Sequence, residues 1–422
     1  MKKIFPFLFS FLIINAAAAQ IDTTQKIVPG RKNSAEAEKK PYVILISADG
    51  FRYDYAEKYH ADHLLSLSNE GVKSPFMIPS YPSVTFPNHY TLVTGLYPSH
   101  HGLVNNNYFD RNRKDNYLNN NKPKVADGSW YFGTPLWVLA EQQQTLSASF
   151  YWVASEADIQ KTRPTYYFIY NDKIDIHTRI ETVVNWLKLP PESRPHLITF
   201  YFPQVDHSGH VNSPDSPETG RQVQFVDSAV YELTKAVAST GLNVNYVFVS
   251  DHGMTKIDRE HILPNPAALD TSKFVISGDD ILVQLYAKDP KYIAETYNEL
   301  KADAKDYKVY LKSNMPDRLH YGTKDDWHNR IGDIILIPEW PKVFNINHYK
   351  KINPGTHGFD PYLVQDMMAT FYAWGPAFKK HTVVPPFQNV EIYPLITRIL
   401  GLPYTDKIDG TKKLAKEALE GK

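Results

Sequence analysis

Four continuous apolar runs of strand length mark the chain: YVILIS at 42–47, HLITFYF at 196–202, VNYVFVS at 244–250 and MATFYAWG at 368–375. They do not alternate apolar with polar. That pattern predicts strands covered on both faces, as in a parallel sheet between helical layers. Between the second and third runs, RQVQFVDSAVYELTKAVAST sets Val223, Val226, Val230, Leu233 and Val237 at helical spacing on one face. Buried strands alternating with amphipathic helices predict an α/β sandwich around a mostly parallel sheet. From about 280 to 340 the texture changes to ILVQLYAK, PKYIAETYNELKADA, YKVYLKS and IGDIILIPEW. That strand–helix–strand–strand order predicts a small inserted α+β subdomain. No internal repeat or low-complexity tract interrupts the pattern.

The amino-terminal pattern differs. Lys2 and Lys3 precede the apolar run IFPFLFSFLII, which leads into Asn15 and AAAAQ. A basic start, an apolar stretch too short to span a bilayer comfortably, and small residues at Ala17 and Ala19 predict a signal peptide, residues 1–19, cleaved after Ala19. An uncleaved anchor is the alternative. Residues 20–40 are polar and aperiodic, as expected of a flexible leader. Residues 41–422 then form a single catalytic domain containing the 280–340 insertion. No later stretch is long and apolar enough for a membrane span after signal removal.

Composition narrows the chemistry. Lysine plus arginine equals aspartate plus glutamate, 46 each, so net charge offers no case for a nucleic-acid surface or a polyanionic partner. The chain has no cysteine, which removes disulfides, thiolate metal sites and lipid attachment through cysteine. Any metal must be held by histidine and carboxylate. An exported, cysteine-free chain fits a bacterial periplasm, or secretion from bacteria, better than a eukaryotic secretory route.

Each buried strand runs into residues of metal-ligand type. YVILIS leads to Asp49-Gly50, HLITFYF to Asp206, His207 and His210, and VNYVFVS to Asp251-His252-Gly253; GTHGFD, with His357, precedes the fourth run. Ligand sites of open α/β sheets form beyond the carboxyl ends of strands, so these turns can converge. Singly, an aspartate after a strand is a turn residue or a cap. Together, the three aspartates and three of these histidines are an oxygen-plus-imidazole set suited to zinc, and two ions about 4 Å apart form a clamp for in-line phosphoryl transfer. In SYPSVTFPNHY, Thr85 precedes a helical pattern. It can cap that helix, and it can also be a nucleophile at the helix's positive end; the two roles are compatible. Pro87 suits the first turn.

At these residues the chain resembles the alkaline phosphatase superfamily, and within it the nucleotide pyrophosphatase/phosphodiesterase family. The motifs are ADGFRYDY, YPSVTFPNHYTLVTGLYPSHHGLVNNNYFD, GTPLWVLAE, VDHSGH, SDHGM and HGFD, spread over about residues 41–404. The resemblance implies an alkaline-phosphatase-like three-layer sandwich holding two Zn²⁺ ions per chain. It implies that Asp49, Thr85, Asp251 and His252 hold one zinc, and Asp206, His210 and His357 the other. Thr85 is then the nucleophile, passing through a phospho-threonine, and Asn106 hydrogen-bonds a non-bridging phosphate oxygen. His207 lies in the motif but is not a ligand. Phe86 and Tyr170, the latter in IYND, stack on a nucleobase; for Tyr170 a core aromatic within YYFIY is the alternative.

The activity expected is hydrolysis of nucleotide phosphodiester or pyrophosphate bonds to nucleoside 5′-monophosphates, with a small-molecule nucleotide as partner. Two alternatives keep the scaffold: a choline-phospholipid phosphodiesterase, and an alkaline phosphate monoesterase. The second needs a cation for the extra phosphate charge, and Lys161 and Arg163 in IQKTRPTYY are the candidates near the pocket wall. A non-catalytic metal- or phosphate-binding protein is the third reading, opposed by the full ligand set.

Overall fold

The computed structural model describes residues 22–421, so the expected signal peptide lies outside the described residues. Nine strands form the central sheet, in spatial order Lys26–Ile27, Tyr166–Tyr167, Ser147–Phe150, Leu197–Phe202, Tyr42–Ala48, Val244–Val249, Phe371–Trp374, Val72–Lys73 and Thr382–Val383. The three long apolar runs sit side by side at its centre and run parallel, with Val43 opposite Leu197 and Tyr246 opposite Ile44. Their side chains feed two cores. Ile44, Ile46 and Phe200 pack under the helices Ile176–Leu187 and Pro217–Ala238 on one face. Val43, Leu45 and Val247 pack under Thr85–Thr94, Leu136–Gln142 and Ile392–Leu400 on the other. The predicted helical face is buried as a unit: Val223, Val226, Val230, Leu233 and Val237 all point inward. The architecture is the expected three-layer α/β sandwich.

The fourth apolar run departs from the parallel pattern. Phe371–Trp374 is antiparallel to Val244–Val249. The chain enters this strand at the end where Val244–Val249 leaves, with the Ser250 N–H bonded to the Thr370 carbonyl, so it must run back the other way. Ser147–Phe150 gave no apolar signal because Ser147 and Ser149 are buried by hydrogen bonding. Ser147 Oγ donates to Glu141, and Ser149 Oγ meets both Thr199 and Ser155.

Residues 22–40 do not form the flexible leader expected. Lys26–Ile27 pairs with Tyr166–Tyr167 at the sheet edge. Asn33 is buried, donating to the carbonyls of Pro191 and Arg194 and accepting from the Leu146 N–H. A polar segment is fixed here because its polar groups complete another segment's backbone.

Between Phe274 and Pro338 the chain builds a separate four-stranded antiparallel sheet, in the order Phe274–Asp279, Leu282–Ala287, Ile334–Pro338, Tyr307–Leu311. The helix Tyr292–Asp303 connects the second strand to Tyr307–Leu311. Leu263, Val283, Leu285, Leu300, Leu336 and Phe344 form its own core. The sheet begins before residue 280; the strand Phe274–Asp279 ends in Ser-Gly-Asp, which by sequence reads as a turn.

Candidate active site

The ligand-type residues meet beyond the carboxyl ends of the central strands, where parallel sheets collect ligands. Asp49 follows Tyr42–Ala48 directly, and Asp251 and His252 follow Val244–Val249. Asp206 and His210 lie one turn apart on the helix Gln204–Asn212, which leaves the end of Leu197–Phe202. His357 arrives on a loop anchored by a short antiparallel pairing of Gly355–Thr356 with Thr255–Lys256. Close backbone approach makes this convergence feasible. Gly50 has φ +65°, and a Cβ there would lie 2.9 Å from the Asp206 Cα. The Asp206 N–H donates to the Asp49 carbonyl at 3.0 Å. A Cβ on Gly355 would lie 2.2 Å from the Gly209 carbonyl oxygen, so only glycine lets this loop reach His210.

The donor atoms form two adjoining groups. In one, Asp206 Oδ1 lies 3.4 Å from His210 Nε2 and 3.5 Å from His357 Nε2. In the other, His252 Nε2 lies 3.4 Å from Asp49 Oδ1 and 2.9 Å from Asp251 Oδ2. Asp206, Asp49 and His252 also fall within one ligand-sized cluster, which joins the groups. Each histidine uses Nδ1 on a backbone carbonyl: His210 on Gly355, His252 on Gly253, and His357 on Ser83. That leaves every Nε2 facing the cluster in the tautomer a metal requires. Asp49 Oδ1 and Asp206 Oδ1 are buried without a hydrogen-bond partner.

Three carboxylates share this low-dielectric space, and their electrostatics reflect it. Burial, together with Asp251 and Asp206, pushes the Asp49 carboxyl well above its ordinary range. Burial would also raise Asp251, but His252 and His89 outweigh it and hold that carboxyl well below. Burial, with His252 and His210 nearby, pushes His357 well below the usual imidazole value and keeps it neutral. Crowded acids with orphaned oxygens and pre-oriented imidazoles fit divalent cations.

Thr85 opens the helix Thr85–Thr94 and does not cap it. Val84 occupies the N-cap position and no side chain caps the helix. The capping role fails because the Thr85 hydroxyl turns away from the helix end to lie 3.2 Å from His252 Nε2. One orphan donor of the first turn, the Phe86 N–H, is instead taken by Asn106 Oδ1 at 2.9 Å. Asn88 ties the preceding loop to the helix by donating to the carbonyls of Pro82 and Val84.

Beside Thr85 opens a cavity of about 310 Å³, lined by Phe86, Trp152, Tyr170, Tyr201 and others. Tyr170 is 44% exposed and so is no core aromatic; its ring lies edge-on to Tyr151 and Tyr201. Its N–H donates to Glu156, another lining residue whose carboxyl burial pushes upward. Lys122, Asn119 and Asn120 complete the polar part of the wall. Lys161 and Arg163 do not line this cavity. Arg163 Nε donates to the Glu156 carbonyl, and its guanidinium faces Asp158. His207 is exposed on the far side of its helix.

Two supporting residues escaped the sequence reading. Tyr201 donates to Asp49 Oδ2 at 2.6 Å, and His89 lies 3.2 Å from Asp251 Oδ2. His89 was readable in principle, since it follows Thr85 by one helical turn in TFPNH. Tyr201 carries a polar handle in a largely apolar strand.

Residues 43–360 match the family model of type I phosphodiesterases / nucleotide pyrophosphatases. An uncharacterised pyrophosphatase/phosphodiesterase of Schizosaccharomyces pombe is 36% identical over 89% of this chain and 80% of its own length. Ectonucleotide pyrophosphatase/phosphodiesterase family member 1 of Mus musculus is 34% identical over 87% of this chain, which spans only 41% of that protein. The venom phosphodiesterase of Macrovipera lebetinus is 32% identical over 86% of this chain and 44% of its own length. Murine ectonucleotide pyrophosphatase/phosphodiesterase 5, in an inactive threonine-to-alanine form in complex with AMP, superposes with a TM-score of 0.83. It is 27% identical, over 90% of this chain and all of that one.

Proposed function

The chain belongs to the type I phosphodiesterase / nucleotide pyrophosphatase family of hydrolases, and from that premise we propose that it is a two-zinc enzyme cleaving small nucleotides to nucleoside 5′-monophosphates. The observation that carries the reading is the Thr85 hydroxyl. It lies 3.2 Å from His252 Nε2, inside the Asp/His cluster and on the wall of the aromatic cavity. Asp49, Thr85, Asp251 and His252 would hold one ion; Asp206, His210 and His357 would hold the other. When bound, such ions supply the positive charge that favours a threonine alkoxide and stabilises charge developing on phosphate.

The residues' own roles follow from position. Phe86 and Tyr170 hold the base in the cavity, which orients phosphorus toward Thr85. Thr85 Oγ1 gives its proton to solvent and bonds to phosphorus, while the bond from phosphorus to the leaving oxygen breaks and that oxygen takes a proton from solvent. Asn106 Nδ2 donates to a non-bridging oxygen in the transition state. Water then hydrolyses the Thr85 phosphoester, restoring the hydroxyl and releasing the monophosphate. A relative inactivated by one threonine-to-alanine change, and holding AMP, supports both nucleophile and product. Lys161 and Arg163, the cations a monoesterase would call on, do not line the cavity, which speaks against that reading.

Export is part of the reading. The amino-terminal pattern of residues 1–19, and relatives named as ectoenzymes or venom proteins, support a periplasmic or secreted enzyme. No helix among the described residues is long and apolar enough to cross a membrane.

The test is steady-state hydrolysis of p-nitrophenyl thymidine 5′-monophosphate beside p-nitrophenyl phosphate and p-nitrophenyl phosphorylcholine, with and without EDTA. A large kcat/KM preference for the thymidine diester, lost on chelation and restored by Zn²⁺, is expected. Preference for the monoester or the choline ester would overturn the substrate assignment.

A further inference from the structure

His89, which stands beside Asp251, is fully buried. It lies on the Thr85 helix, one turn below the nucleophile. Its Nδ1 is 3.0 Å from the Thr85 carbonyl oxygen and 3.2 Å from Asp251 Oδ2. Its Nε2 is 2.9 Å from Ser47 Oγ, on the strand that ends at Asp49. The ring is walled edge-on by Trp152 and Tyr201, both at 5.2 Å between centroids. The Trp152 indole N–H in turn donates to the His89 carbonyl.

Asp49, His89 and Asp251 together have the spacing of a metal site, but the partners argue otherwise. Both neighbours of Nδ1 are acceptors, a carbonyl and a carboxylate, so Nδ1 carries the proton and cannot bind a cation. Nε2 is occupied by a hydroxyl. The imidazole therefore stands behind the ligand shell. It joins three things that must keep register: the peptide of the nucleophile, the Asp251 carboxylate, and the strand delivering Asp49.

We propose that His89 is a positioning residue whose Nδ1–H, bonded to the Thr85 carbonyl and facing Asp251 Oδ2, keeps the Thr85 helix in register with Asp251, and so sets the affinity of the Asp49/Thr85/Asp251/His252 group for its metal ion. The proposal rests on the metal reading above. Groups that orient ligands from behind typically contribute 10–100-fold in affinity or activity. The Ser47 contact serves only to seat the ring.

Three substitutions test the ring's nitrogens. His89→Asn puts an amide N–H where Nδ1 was; His89→Gln reaches instead toward Nε2; His89→Phe keeps the ring and removes both. Zn²⁺ affinity is measured by competition with a chromophoric chelator, alongside melting of the metal-free proteins and the kcat and KM of p-nitrophenyl thymidine 5′-monophosphate. The expected result is affinity within about threefold of the parent for His89→Asn, and a loss of about 10–100-fold for His89→Gln and His89→Phe. The fall in turnover should lie in kcat, with KM nearly unmoved. His89→Gln matching the parent while His89→Asn fails would overturn the role of Nδ1. Metal-free melting lowered equally in all three, with Zn²⁺ affinity unmoved, would reduce His89 to packing and overturn the proposal. A parent protein that takes up no Zn²⁺ would overturn the metal reading itself, which distinguishes the two failures.

Discussion

The side-chain oxygen of Asn106 accepts the backbone N–H of Phe86 at 2.9 Å, across the mouth of the Thr85 helix. An asparagine amide has one acceptor end and one donor end. Fixing the oxygen on Phe86 therefore commits the Nδ2 donors to the opposite side, where the phosphate is proposed to bind. The same bond satisfies a helix donor that Thr85 does not cap. Asn106 thus joins the aromatic wall of the pocket to the reacting centre.

Replacing that donor isolates its contribution. Asn106→Asp keeps an acceptor for Phe86 but removes the donor and adds a charge that opposes phosphate. The expected outcome is a kcat loss of about 10²–10³-fold, the range seen when one transition-state donor is removed. Zn²⁺ content, read by elemental analysis of the purified protein, should be unchanged. A loss seen only in KM would mean that Asn106 binds ground-state substrate and does not serve the transition state.

Thr85→Ala removes the attacking oxygen while leaving the Asp/His cluster whole. Turnover should fall on the order of 10⁴-fold or more, as when a covalent nucleophile is lost. In the parent enzyme, acid quenching followed by peptide mass spectrometry should find a nucleoside monophosphate adduct on Thr85 and nowhere else. Substantial activity remaining in Thr85→Ala would assign the attack to water.

The aromatic pair can be separated from the chemistry by substrate choice. Tyr170 is half-exposed and holds its position through its N–H bond to Glu156, so its ring can be removed with little cost to the core. Tyr170→Ala should raise KM for p-nitrophenyl thymidine 5′-monophosphate about tenfold, within the range for one lost stacking face. It should leave bis-p-nitrophenyl phosphate, which has no base, almost unaffected. Equal losses on both substrates would place Tyr170 in catalysis or folding and not in base recognition.

What the sequence made legible was what has a local signature. Continuous apolar runs identified the central strands, and each exposed its candidate ligands at the turn that follows; Asp49, Asp251 and His252 were readable for that reason. The supporting shell has no such signature. Tyr201 reaches Asp49, and His89 reaches Asp251, across more than a hundred residues of chain. Asn33 fixes the leader by meeting carbonyls at Pro191 and Arg194. Polar contacts between distant segments obey no period along the sequence. The same holds for Ser147 and Ser149, whose burial depends on partners and not on hydropathy.

The inserted sheet offers a stability test independent of the active site. Asp279 ends the strand Phe274–Asp279, and its Oδ1 accepts the N–H groups of Ile281 and Leu282 at 3.1 Å each. Desolvation outweighs those bonds, and with Asp280 alongside it pushes the Asp279 carboxyl up to about 6. A raised acid binds its proton more tightly in the folded chain than in the unfolded one. Its contribution to stability is therefore complete below about pH 4 and is lost as pH climbs through 6, by up to about 3 kcal/mol. Asp279→Asn keeps an oxygen for the two N–H groups and cannot ionise. The variant should gain stability relative to the parent steadily between pH 4 and 7, measured by urea unfolding at each pH, and the gain should level off above pH 7. A difference between the two proteins that is flat with pH would show that Asp279 stays ionised in the fold, its two backbone donors offsetting the desolvation.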